Sequence, residues 1–68
     1  MASIIHMILA VAEDVSGFKI TPEEDFSLLD SLEYIELLLE VEKRCGKRLP
    51  DGIFPETVKE LAEAMGKI

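Results

Sequence analysis

The sequence has one cysteine, one histidine, no tryptophan, and only 7 basic side chains against 14 acidic ones. Cys45 alone cannot close an internal disulfide, and His6 alone cannot seed a Cys/His cluster at metal-ligand spacing. Together these absences point to a reduced, cytoplasmic setting without a metal. The shortage of lysine and arginine, with a formal net charge of −7, argues against nucleic-acid binding, because that affinity depends on basic groups displacing counterions from phosphates. A basic partner surface fits the charge better. No apolar run approaches the roughly 20 residues of a spanning helix. The longest, from Ala2 to Ala12, is interrupted by His6 and lacks the basic leader of a signal peptide.

What is present describes a small folded domain. A chain of 68 residues has room for one domain, residues 1–68. A domain of that size buries about 60% of its unfolded surface, which leaves little material for a deep catalytic cleft. The hydrophobic share of 49% is too high for a wholly disordered chain.

Hydrophobic periodicity then divides the chain. At roughly 100° per residue, Ile4, Ile5, Met7, Ile8, Val11, Ala12 and Val15 share one side of a helix, opposite His6, Ala10, Glu13 and Asp14, with Gly17 as its stop. From Phe18 to Leu29 the period is lost, and Ile20, Phe26, Leu28 and Leu29 are expected to plug the ends of a bundle. Asp30 to Arg44 reads as a second helix. Its apolar stripe holds Leu32, Tyr34, Ile35, Leu37, Leu38, Leu39 and Val41, its opposite face Glu33, Glu36 and Glu40. Asp30 and Glu33 have capping-box spacing, Lys43 and Arg44 complement the dipole at the far end, and Gly46 ends the helix. Asp51 to Phe54 is long enough for one short helical turn before Pro55, and Glu56 to Met65 is expected to form the last helix. No stretch alternates with period two, so the fold class is all-α: three main helices and one short minor helix.

Catalysis finds little support in this pattern. Neither Ser31 nor Cys45 has a histidine nearby in sequence to act as base. His6 reads as a surface or partly packed side chain, and Cys45 as a small, half-buried hydrophobe. The face formed by Glu33, Glu36 and Glu40 has no interleaved lysine and forgoes the usual ion pairs along a helix. It suits docking to basic residues of a partner, where charge steers encounter. Ser31, next to the capping aspartate, is either part of the helix start or a hydroxyl facing outward beside free N–H groups, where a phosphodiester is well placed.

The run Asp30-Ser31-Leu32, the segment Glu36-Leu37-Leu38-Leu39-Glu40, the turn from Gly46 to Pro50-Asp51 and the closing Thr57-Val58-Lys59-Glu60-Leu61-Ala62 together resemble an acyl carrier protein. The likeness is strongest from Phe26 to Met65. It implies that Ser31 receives 4′-phosphopantetheine from coenzyme A by a phosphopantetheinyl transferase, with Asp30 assisting, and that acyl groups ride as thioesters on the arm's terminal thiol. It further implies that Leu32, Ile35 and Leu39 touch partner enzymes, that Glu36 meets their basic residues, and that a monomer shuttles cargo for fatty-acid, polyketide or related biosynthesis. In this family the acyl chain can fold between the helices, and the apolar faces around Ile8, Leu38 and Met65 are where it would enter.

Some residues depart from the family pattern. Leu28-Leu29-Asp30 lacks the usual glycine two positions before the aspartate, a form that also resembles D-alanyl carrier proteins, whereas Glu33-Tyr34 replaces the small pair often found there. Lys43, Arg44, Lys47 and Arg48 gather 4 of the 7 basic residues at the far end of the second helix, which points to a specialised partner set. An aminoacyl carrier and an unmodified helical adaptor for a basic partner are the alternatives. Whatever the cargo, crowded like charges imply that the melting temperature rises with ionic strength through screening; a Tm that does not change between dilute buffer and high salt contradicts that reading.

Overall fold

The computed structural model describes residues 4–67. Among these, three α-helices, α1 (Ile4–Ser16), α2 (Ser31–Cys45) and α3 (Val58–Gly66), form the architecture, with one 3-10 turn at Phe26–Leu28 and no strand. The all-α expectation holds. Helix α1 packs against both α2 and α3, and its buried residues Ile8, Val11 and Ala12 lie on the side that periodicity assigned to the core. His6, Ala10, Glu13 and Asp14 are exposed on the other.

The core gathers Ile8 and Val11 from α1, Leu37 and Val41 from α2, and Val58, Leu61 and Met65 from α3, each at most 1% exposed. Burying a side chain of this size contributes about 1.5–3 kcal/mol. Ile20, Phe26 and Leu29 close the ends of the core as expected, but Leu28 is 52% exposed and takes no part. It faces away because the 3-10 turn directs Phe26 and Leu29 inward and leaves Ser27 and Leu28 between them outside.

The short helix lies elsewhere than the sequence suggested. Asp51 to Phe54 forms no helical turn: Ile53 N–H donates to Pro50 O at 3.4 Å, and Gly52 has φ 87°, the positive angle that the third position of a type II turn requires. A left-handed residue there interrupts a helix, and Phe54, before Pro55, is biased to extended backbone. The 3-10 turn forms at Phe26–Leu28 because Asp25 caps it, accepting Ser27 N–H at 2.7 Å. Phe26 N–H also donates to Glu56 O at 2.6 Å, and the Asp25–Thr57 bridge pins the loop to the start of α3. Helix α3 consequently begins later than Glu56, with Thr57 Oγ1 accepting Glu60 N–H at 3.1 Å as its N-cap.

The apolar stripe of α2 is wider than the core it meets. Leu37 and Val41 are sealed, Tyr34 and Leu38 are half-buried, and Leu32, Ile35 and Leu39 remain 66%, 52% and 58% exposed. Placing all seven residues in one stripe gives the side of the helix but not the width that its neighbours cover. The two classes should separate on substitution: Leu37→Ala is expected to cost about 2–5 kcal/mol and Leu32→Ala less than about 0.5 kcal/mol in urea denaturation. Equal losses would contradict this division of the helix.

Candidate functional site

The start of α2 is fixed by a reciprocal pair of hydrogen bonds. Glu33 N–H donates to Asp30 Oδ1 at 2.8 Å, and Asp30 N–H donates to Glu33 Oε1 at 3.1 Å. This is the capping box expected from the spacing, and it gives the cap to Asp30 rather than to Ser31. Asp30 is the N-cap and Ser31 the first helical residue. Ser31 is exposed, and its hydroxyl is not consumed by capping. At that position a hydroxyl sits beside the unpaired N–H groups and the positive end of the helix dipole, which favour an anionic group attached there. These residues therefore suit a phosphodiester on Ser31 Oγ.

A cleft of about 410 Å³ opens beside Ser31, lined by Phe26, Leu29, Tyr34, Phe54 and Pro55 among others. Sequence reasoning missed it, because its walls come from three separate segments. Tyr34 organises the junction: its hydroxyl donates to Pro55 O at 2.7 Å, and its ring meets Phe26 at a centroid distance of 5.6 Å. The hydrogen bond ties α2 to the irregular segment that leads into α3. Phe54, 75% exposed, forms the outer lip.

The expected docking residues divide. Leu32, Ile35 and Leu39 stand in solvent, and Glu36 is exposed beside them. Ile35 and Leu39 border a second hollow of about 200 Å³ together with Ile53 and Phe54, so an apolar surface continues from α2 onto the turn. Glu33 is spent on the capping box. Glu40 does have an ion pair along the helix, with Arg44 Nε at 3.5 Å, contrary to the expectation that this face forgoes such pairs. Both side chains are well exposed, and the pair contributes little to stability. Glu42 also turns inward to the chain, its Oε2 accepting Leu49 N–H at 2.6 Å, which leaves Glu36 as the acidic side chain of α2 with neither capping nor ion-pair duty among the described residues. Lys43, Arg44, Lys47 and Arg48 are exposed around the end of the helix, which Gly46 terminates with φ 68°.

Cys45 is half-buried as expected, and His6 is exposed on α1. Among the described residues no His, Cys, Asp or Glu group could hold a metal ion, and no helix is long and apolar enough to cross a membrane.

Burial first, then the carboxylates of Glu56 and Glu60, push the Tyr34 hydroxyl above its ordinary range near pH ~10. The folded chain thus holds this proton more tightly than the unfolded chain. The associated stability is complete below the unfolded-state value and is lost as pH rises through the folded-state value. Wild type is expected to exceed Tyr34→Phe by about 1 kcal/mol near neutrality, with the gap shrinking as alkaline pH ionises the phenol. A gap that stays constant across the tyrosine range in urea titrations would sink this.

No curated protein and no solved structure matched the chain. A family model described as phosphopantetheine attachment site matches residues 3–65, which takes in α1, α2, the Asp30–Glu33 cap and α3 as far as Met65. The chain belongs to this family: it is a carrier protein of the acyl carrier type, and its prosthetic group is a covalently attached 4′-phosphopantetheine.

Proposed function

We propose that residues 1–68 form a single carrier domain that bears 4′-phosphopantetheine on Ser31 Oγ and shuttles acyl intermediates between enzymes of fatty-acid, polyketide or related biosynthesis. The observation that carries this reading is the division of labour at the helix start. Asp30 caps α2 through Glu33 N–H at 2.8 Å, so the neighbouring hydroxyl of Ser31 is exposed and uncommitted. When bound, the arm supplies the thiol on which cargo rides as a thioester. The chain itself is a carrier and not a catalyst; its residues present the hydroxyl, fix its position and offer a surface to enzymes.

In the attachment step the serine oxygen bonds to the phosphorus nearer the pantetheine of coenzyme A. The bond to the bridging oxygen breaks, 3′,5′-adenosine bisphosphate leaves, and the serine proton passes to the transferase or solvent. Asp30, adjacent to Ser31, assists while its Oδ1 holds the cap. Leu32, Ile35 and Leu39 supply apolar contact to partner enzymes. Glu36 and Glu40 meet basic residues there, while Glu33 contributes by holding the helix start. Contacts of this kind are steered by charge and release quickly, as a monomeric shuttle needs. The basic residues Lys43, Arg44, Lys47 and Arg48 narrow the partners to enzymes with an acidic patch offset along α2. We place this traffic in the cytoplasm. An aminoacyl cargo uses the same arm and surface and differs only in the ligase that loads it.

Incubation with coenzyme A and a broad-specificity phosphopantetheinyl transferase is expected to add one phosphopantetheine to the wild type by intact mass, and none to Ser31→Ala. Because Ser31 caps nothing, the variant should keep the wild-type Tm within the change of about 0.5 kcal/mol typical of surface substitutions. An increment that persists in the variant, or a folded wild type that takes none, would overturn the assignment.

A further inference from the structure

We propose that Tyr34 closes the route from Ser31 into the hydrophobic core, so that this carrier keeps its cargo at the surface and serves short acyl groups. The proposal rests on the carrier reading, with Ser31 as the attachment residue. Its basis is the position of one side chain in two environments. Tyr34 lines the cleft that opens at Ser31 and also packs against the buried core. It lies one turn before Leu37, which is fully buried with Val58 and Leu61. A chain entering the core from the cleft along α2 meets the tyrosine before it reaches Leu37.

Three features hold it in place. Its hydroxyl donates to Pro55 O at 2.7 Å, so moving the ring takes a hydrogen bond from the carbonyl of a buried proline. Unpaired polar groups inside a fold are costly. Its ring meets Phe26 at 5.6 Å with an interplanar angle of 58°, in the tilted range that aromatic pairs favour. Phe26 is itself 4% exposed and pinned by its N–H to Glu56 O at 2.6 Å. The ring therefore cannot swing toward the 3-10 turn without disturbing the bridge to α3.

The core behind the tyrosine has no room to spare. Ile8, Leu37, Val41, Val58 and Leu61 are all 0% exposed, and adding methylenes to a packed core displaces side chains already in place. The cleft in front of it, at about 410 Å³, lies at the small end of the range for small-molecule sites. It is walled by Phe26, Tyr34, Phe54 and Pro55. A short acyl group can rest there; a long one projects into solvent or onto the enzyme that serves it. Tyr34 is thus a specificity-determining residue that acts by exclusion.

The test uses the full chain loaded by a phosphopantetheinyl transferase with acetyl-, butyryl-, octanoyl- or dodecanoyl-coenzyme A, each product verified by intact mass. Methyl chemical shifts of Ile8, Leu37, Leu61 and Met65 are followed alongside Tm. In the wild type the core methyl shifts and Tm are expected to be the same for acetyl and dodecanoyl forms. In Tyr34→Ala the octanoyl and dodecanoyl forms should move the core methyls and raise Tm above that of the acetyl form. If that variant does not fold, Tyr34→Leu, which keeps more apolar volume but removes ring and hydroxyl, is expected to respond in the same direction. Core methyls that move with chain length in the wild type would overturn the proposal without any variant. So would a folded Tyr34 variant that stays indifferent to chain length. Absence of loading at Ser31 fells the carrier reading and this proposal together, whereas loading followed by core shifts in the wild type fells this proposal alone.

Discussion

Leu37 and Val41 are sealed inside the bundle while Leu32, Ile35 and Leu39, on the same helix, stand in solvent, because the elements packed on α2, α1 foremost, cover only part of its apolar stripe. That limit on coverage governs the rest of the molecule. A chain this short can build one core, and the side chains left over become surface. They are not scattered singly. Ile35 and Leu39 continue onto Ile53 and Phe54 across a shared hollow, and Leu32 directly follows Ser31. Contiguous apolar surface beside an uncommitted hydroxyl is what a carrier that meets its enzymes repeatedly needs.

The chemistry at the helix start depends on a division of tasks between neighbours. Asp30 and Glu33 satisfy each other's backbone N–H groups, which fixes the first turn of α2 and leaves the exposed Ser31 with no capping duty. Had the serine been the cap, esterifying its oxygen would have weakened the helix that presents it. Around this point the irregular segments are bound by long-range contacts. Phe26 bonds to Glu56, Asp25 bridges to Thr57, and Tyr34 reaches Pro55. Lacking a helix between α2 and α3, the chain uses these bonds to hold the segment after Gly52 against the 3-10 turn and α2.

Much of this was legible in the sequence where the signal is local. The Asp30–Glu33 spacing announced the cap, Gly46 announced the end of α2, and the exposed set His6, Ala10, Glu13 and Asp14 followed from period alone. The resemblance to carrier proteins drew attention to Ser31, and the family match over residues 3–65 agrees with that likeness. The failures share a physical cause. Asp51 to Phe54 is too short to show a period, and its shape is set by the positive φ of Gly52 and the proline that follows. The 3-10 turn at Phe26 is stabilised by Glu56, thirty positions away by number, which no local pattern reveals. The cleft beside Ser31 needs walls from three segments and could not be read from any one of them. The split of the α2 stripe was hidden because periodicity gives a direction and not the width of the covering helices.

Peptide-level fragmentation of the phosphopantetheinylated protein tests the central claim most directly, since Ser16 and Ser27 also carry hydroxyls and Ser27 lines the same cleft. The account predicts fragment ions that confine the modification to Ser31. A modification found on Ser27, or spread over several hydroxyls, would contradict it, because the capping of α2 by Asp30 would then have no bearing on where the arm is attached.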